Sequence, residues 1–90
     1  MVTVTLRMLT FTDASWEDYL YWQEQDKKTL RRINELIQAT RRTPFEGIGK
    51  PEPLRGNLSG LWSRRIDQAN RLVYEVSEAR ISIVSCRYHY

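Results

Sequence analysis

The stretch Leu61-Trp62-Ser63-Arg64-Arg65-Ile66-Asp67-Gln68-Ala69-Asn70-Arg71-Leu72-Val73-Tyr74-Glu75-Val76-Ser77-Glu78-Ala79-Arg80-Ile81-Ser82-Ile83-Val84-Ser85-Cys86 decides the fold. Three runs within it read as strands: Leu61 to Ile66, Arg71 to Val76 and Arg80 to Cys86. The gaps between them, residues 67–70 and 77–79, are short, as antiparallel hairpins require. Period-two alternation puts Trp62, Arg64 and Ile66 on one face of the first strand, and Ser63 and Arg65 on the other.

The segment just upstream is different in kind. All 4 glycines and all 3 prolines of the chain lie between residues 44 and 60. An irregular stretch that long is uncommon in a compact domain and is often functional. Phe45, Leu54, Leu58 and Leu61 are expected to pin it to the core as an ordered loop. Before it, Leu30, Ile33, Leu36 and Ile37 recur at three- and four-residue spacing and mark the apolar stripe of a helix. Lys27, Lys28, Arg31, Arg32 and Glu35 are placed opposite that stripe. Asp26 is the expected N-cap, Arg41 and Arg42 suit the last turn, and Pro44 closes the helix. A first helix is expected to run to about Gln25, with Thr12, Asp13 and Ser15 as cap candidates and Ser15 with Asp18 as an approximate capping box. Its inward face is expected to carry Trp16, Tyr19, Leu20 and Gln23. At the start of the chain Val2, Val4, Leu6 and Met8 alternate like a strand, but the apolar phase flips at Leu9 and Phe11. Part of residues 1–8 therefore reads as an extension. The order is strand, helical hairpin, long loop and three strands. That is an α+β domain, a helical hairpin packed on a small antiparallel sheet.

Length and composition bound what such a domain can do. Its 90 residues make a single domain spanning 1–90, too short for a dinucleotide fold or a barrel. The formal charge is +3, and of 14 basic residues all but Lys27, Lys28 and Lys50 are Arg. Arg presents a planar fork of donors that matches phosphate oxygens, so the composition leans towards a phosphate-bearing partner. The single Cys86 permits no internal disulfide and indicates a reducing compartment. One Cys with one His cannot build a four-ligand zinc site. No apolar run approaches the roughly 18 residues of a membrane span. A cytoplasmic protein with no cofactor and no metal is the expectation.

Several residues could carry chemistry. Bases outnumber acids between Arg41 and Arg71, and a basic face near aromatic rings suits single-stranded RNA. A solvated sheet face is the plain alternative. His89 is the only histidine and a natural proton donor near neutral pH, although a terminal histidine can be idle. Arg87, Tyr88 and Tyr90 surround it with groups that bind phosphate or stack. Glu52 stands between Pro51 and Pro53, a fixed carboxylate in a basic loop that could equally pair with Lys50 or Arg55. The run Trp16, Tyr19, Tyr21 and Trp22 reads as packing, and Cys86 as a small core hydrophobe.

Asp18-Tyr19-Leu20-Tyr21-Trp22, Arg42-Thr43-Pro44-Phe45-Glu46-Gly47, Gly49-Lys50-Pro51-Glu52-Pro53-Leu54, Trp62-Ser63-Arg64-Arg65-Ile66, Arg71-Leu72-Val73-Tyr74 and the terminal Arg87-Tyr88-His89-Tyr90 together resemble the YoeB (Txe/YoeB) toxins of the RelE/ParE superfamily. The resemblance runs from about Met8 to Tyr90 and implies a microbial-ribonuclease-like fold. It implies a ribosome-dependent endoribonuclease that cuts messenger RNA in the 30S A site and arrests translation. A cognate antitoxin of the YefM/Phd type is implied as partner, as is a homodimer. Carried over by position, Glu52 would be general base, His89 general acid and Arg71 the stabiliser of charge on the phosphate. Arg65 and Tyr90 would support and orient the site, with Lys50, Arg55, Arg64, Arg87 and Tyr88 binding RNA. The alternative is a non-catalytic RNA- or ribosome-binding module using the same Arg face. A gyrase-poisoning relative is a third reading, disfavoured because inhibition by binding needs no acid–base pair.

Overall fold

A computed structural model of the chain describes residues 7–88. The elements are β1 (Met8–Phe11), α1 (Asp13–Gln25), α2 (Lys27–Arg42), β2 (Glu52–Pro53), β3 (Leu61–Arg65), β4 (Arg71–Val76) and β5 (Arg80–Ser85), with a 3-10 turn at Gly56–Leu58. The 5 strands form one sheet in the order β1-β5-β4-β3-β2. The β3–β4 and β4–β5 pairs are antiparallel, as the short gaps require, and β2, inside the segment expected as a loop, pairs antiparallel with β3. β1 departs from the expected pattern and pairs with β5 in parallel. The sheet is therefore mixed, because the chain crosses the whole helical hairpin before it reaches β5. The expected strand at Val2–Leu6 lies outside the described residues. Within β1 the odd phase wins: Leu9 and Phe11 pack against the core, while Met8 is exposed.

Both helices begin on side-chain caps. Thr12 accepts from the Ser15 amide and caps α1, so the capping box expected at Ser15 is replaced by a cap three residues earlier. Ser15 itself is buried and donates to the Ile83 carbonyl at 2.7 Å. Asp26 caps α2 through the Lys28 and Thr29 amides, as expected.

The core lies between the hairpin and one face of the sheet: Trp22 of α1, Ile33, Leu36 and Ile37 of α2, and Ile66, Leu72, Tyr74, Ile81, Ile83 and Cys86. The inward residues of α1 differ from the expected set. Trp22 and Ser15 are buried, whereas Trp16 is 46% exposed and stacks on Tyr19. Tyr19 in turn donates to Asn34 Oδ1 and ties the two helices together. Most of the apolar stripe expected on α2 is found buried.

Candidate active site

Register alone gathers three of the expected catalytic residues. Glu52 of β2 is the Cα partner of Ser63, and Ser63 is the partner of Val73. Arg65, two residues beyond Ser63, pairs with Arg71, two residues before Val73. Partners across a ladder share a face, as do residues two apart on a strand. Glu52, Arg65 and Arg71 therefore occupy the face opposite the helices. Glu52 and Arg65 are exposed and Arg71 is half-buried.

The loop that delivers Glu52 is held by polar contacts rather than by the leucines. Phe45 is 51% exposed and merely leans on Trp62, with ring centroids 4.7 Å apart. Leu54, Leu58 and Leu61 are only half-buried. Arg64 does the anchoring. Its side chain is fully buried, and its guanidinium donates to the carbonyls of Thr43, Glu46 and Ile48 and to the Tyr74 hydroxyl. The Tyr74 hydroxyl in turn donates to the Pro44 carbonyl at 2.8 Å. Burial pushes the Tyr74 hydroxyl above its ordinary pKa, opposed by the adjacent Arg64 cation. The expectation that Arg64 binds RNA is thus corrected. It faces the helices, and its donors are committed to loop carbonyls.

At the next step of the loop the Gly49 carbonyl accepts from the Arg65 amide at 2.6 Å. Gly49 has φ +82°, and a Cβ there would lie 2.7 Å from Leu36 Cδ2 and 3.1 Å from Arg64 Cβ. Only a residue without a side chain lets the loop pass between α2 and β3 at this point. Lys50 follows with φ 51°, and it and Arg55 are exposed on either side of Glu52.

Arg71 is fixed from the β3–β4 turn. Its Nη1 donates to the carbonyls of Asp67 at 2.7 Å and Asn70 at 3.1 Å. Its amide donates to the Tyr88 carbonyl at 2.8 Å, and the Tyr88 amide donates to Asn70 Oδ1 at 2.7 Å. The tail is thus fastened to the same turn that holds Arg71. Upstream, Trp22 Nε1 donates to the Cys86 carbonyl and the Cys86 amide donates to Asp18 Oδ2. The Arg87 guanidinium lies 3.5 Å from the Tyr21 ring centroid, in a cleft with Glu17, Asp18 and Glu24. Arg87 is therefore brought to α1, not to the Glu52 face. Tyr88 is 63% exposed, with φ 65°. His89 and Tyr90 lie outside the described residues.

Three contributors escaped the sequence reading: Asn70 and Tyr21, which hold the tail, and Arg32. The last was placed opposite the apolar stripe of α2, yet it stands four residues before buried Leu36, on the stripe's border. That spacing was the available signal. Arg32 Nη2 donates to the Arg65 carbonyl at 3.3 Å.

Comparison with known proteins places this geometry. A solved YoeB dimer from Staphylococcus aureus matches with a TM-score of 0.89 and 48% identity, covering 96% of this chain and 100% of that one. A YoeB–YefM complex from the same organism matches with a TM-score of 0.86 and 47% identity over the same shares. Toxin YoeB of Escherichia coli K12 is 62% identical over 82 residues, 91% of this chain and 98% of that protein. The class is accordingly a toxin of a type II toxin–antitoxin system. Residues 11–90 match the model of the family described as YoeB-like toxin of bacterial type II toxin–antitoxin system, and the chain belongs to that family.

Proposed function

We propose that this toxin is a ribosome-dependent endoribonuclease that cuts messenger RNA in the 30S A site and so inhibits translation. The observation that carries the reading is the register placing Glu52, Arg65 and Arg71 on one sheet face, beside the turn to which Tyr88 is bonded. The RNA's own 2′-hydroxyl is the nucleophile. Glu52 removes its proton, His89 protonates the leaving 5′-oxygen, and Arg71 stabilises charge on the phosphate. Arg65 and Tyr90 orient the phosphate. Lys50 and Arg55, on either side of Glu52, bind the strand, and Tyr88 offers a ring for stacking. The upstream fragment ends in a 2′,3′-cyclic phosphate, and the reaction as written requires no metal or cofactor.

The toxin works in the cytoplasm, and among the described residues no helix is long and apolar enough to cross a membrane. The S. aureus structures supply its expected assemblies: a homodimer, and a complex with a YefM/Phd-type antitoxin.

The test is cleavage-site mapping on a defined messenger RNA, free and in programmed ribosomes, with chelator present. Wild type should cut at A-site codons only, and both His89→Ala and a 2′-deoxy scissile nucleotide should abolish cutting. Cutting that survives the 2′-deoxy substitution overturns the mechanism. Ribosome binding without any cleavage would establish a non-catalytic binding module instead.

A further inference from the structure

The structure points to a second phosphate subsite, held by Arg32, for the nucleotide next to the scissile one. This inference rests on the ribonuclease reading above. At the end of the sheet nearest the β3–β4 turn lies an open cleft of about 540 Å³, lined by Arg32, Arg65, Ile66, Asp67, Gln68 and Arg71. Three guanidiniums thus reach one cleft from three elements, α2, β3 and β4. Arg65 and Arg71 are register partners on one wall and serve the scissile phosphate. Arg32 comes from α2, where its Nη2 donates to the Arg65 carbonyl, and it lines both this cleft and the groove beside it. A groove sharing Arg32, Ile66 and Asp67 continues onto the start of α2, past Thr29 and Lys28.

The acids lining this path are turned to local donors. Asp67 Oδ1 accepts from the Ala69 and Asn70 amides, and both its oxygens accept from Asn70 Nδ2. Asp26 accepts from the Lys28 and Thr29 amides and from Thr29 Oγ1. Hydrogen bonds from these donors hold the Asp26 carboxyl below its ordinary pKa. Cations are therefore left to face the groove. A chain of negative groups spaced along a strand is the ligand that fits, and a planar fork grips each phosphate in two places. Arg32 positions the strand and takes no part in bond breaking.

The experiment measures cleavage in programmed ribosomes, using Arg32→Gln, Arg32→Lys and the exposed Arg31→Gln as control. The messenger RNA carries either normal phosphates or one neutral methylphosphonate flanking the scissile bond. Arg32→Gln should raise the half-saturating toxin concentration about tenfold, the loss of one charge-assisted contact, and leave the maximal rate within about twofold. Arg32→Lys should recover only part of the affinity, and Arg31→Gln should behave as wild type. The methylphosphonate should weaken wild type about as much as Arg32→Gln does and add nothing to that variant. Losses that add fully, or an Arg32→Gln enzyme equal to wild type, would overturn the subsite while leaving the nuclease intact. A wild type that never cuts would overturn both. The methylphosphonate arm needs no substitution in the protein, so a poorly folded variant does not weaken the test.

Discussion

Adjacent residues in β3 have opposite fates, and the difference is one of facing. Arg64 and Arg65 are indistinguishable by composition, and alternation says only that they part company. Which side is buried depends on where the helices pack, and that is a tertiary fact. Arg64 is 0% exposed and satisfies the carbonyls of Thr43, Glu46 and Ile48. Replacing it with Met should strip those partly buried carbonyls and the Tyr74 hydroxyl of their shared donor and lower stability by about 3 kcal/mol. Urea denaturation reads this as a lower midpoint, and Arg65→Met should shift it far less. Cys86 was legible as a core residue. Burial, with the Asp18 carboxylate adding to it, pushes its thiol up to about 12. In the unfolded chain the thiol ionises in its ordinary range, so native stability should fall as pH rises through that range towards 12. Cys86→Ala should remove that part of the alkaline decline. In native protein at pH 8 the thiol should resist iodoacetamide, and unfolding in urea should expose it.

Elements with strong periodicity were readable, and those held by side-chain-to-backbone contacts were not. The α2 stripe and the β3, β4 and β5 runs repeat at helical or strand spacing. The clustering of Gly and Pro identified residues 44–60 as an ordered loop, but not how it is ordered. Its anchors are a buried Arg, a Tyr hydroxyl and a glycine, none of which leaves a periodic trace. Gly49 is the tightest of these, since a Cβ would meet Leu36 at 2.7 Å and also needs φ +82°. Gly49→Ala should cost about 2 kcal/mol and displace the segment carrying Glu52. Thermal melting measures the first effect. The second appears as a drop in cleavage rate beyond anything the lost stability explains at a temperature where the variant is fully folded. A full rate in a folded Gly49→Ala protein would show that the loop reaches Glu52 without this passage.

On the scale of the whole molecule, the candidate site is assembled by the sheet beside a tail that two separate elements hold down as far as Tyr88. Glu52, Arg65 and Arg71 were named from sequence by the family motifs in which they stand; of their placement, only the β3–β4 pairing follows from a short gap. The tail's attachments were illegible because α1 and the β3–β4 turn lie far from it in the chain. From α1, Asp18 and Trp22 grip the backbone at Cys86, and Tyr21 lies under Arg87 at 3.5 Å. From the turn, Asn70 and Arg71 grip the backbone at Tyr88. His89 follows immediately in sequence, so in the proposed mechanism these contacts set the point from which its imidazole must reach the leaving oxygen. A cation over a ring face depends on the ring and not on its hydroxyl. Tyr21→Phe should therefore cleave like wild type, whereas Tyr21→Leu and Asn70→Ala should each lower the maximal rate roughly tenfold to a hundredfold, the scale expected when a reacting group is displaced. For Tyr21→Leu half-saturation should change little, because the residues proposed to bind RNA at Glu52 and in the Arg cleft are untouched. Single-turnover cleavage in programmed ribosomes separates the two quantities. Equal losses in Tyr21→Phe and Tyr21→Leu would assign the effect to the hydroxyl, and unchanged rates in both Tyr21→Leu and Asn70→Ala would mean that the tail finds its place without the latch.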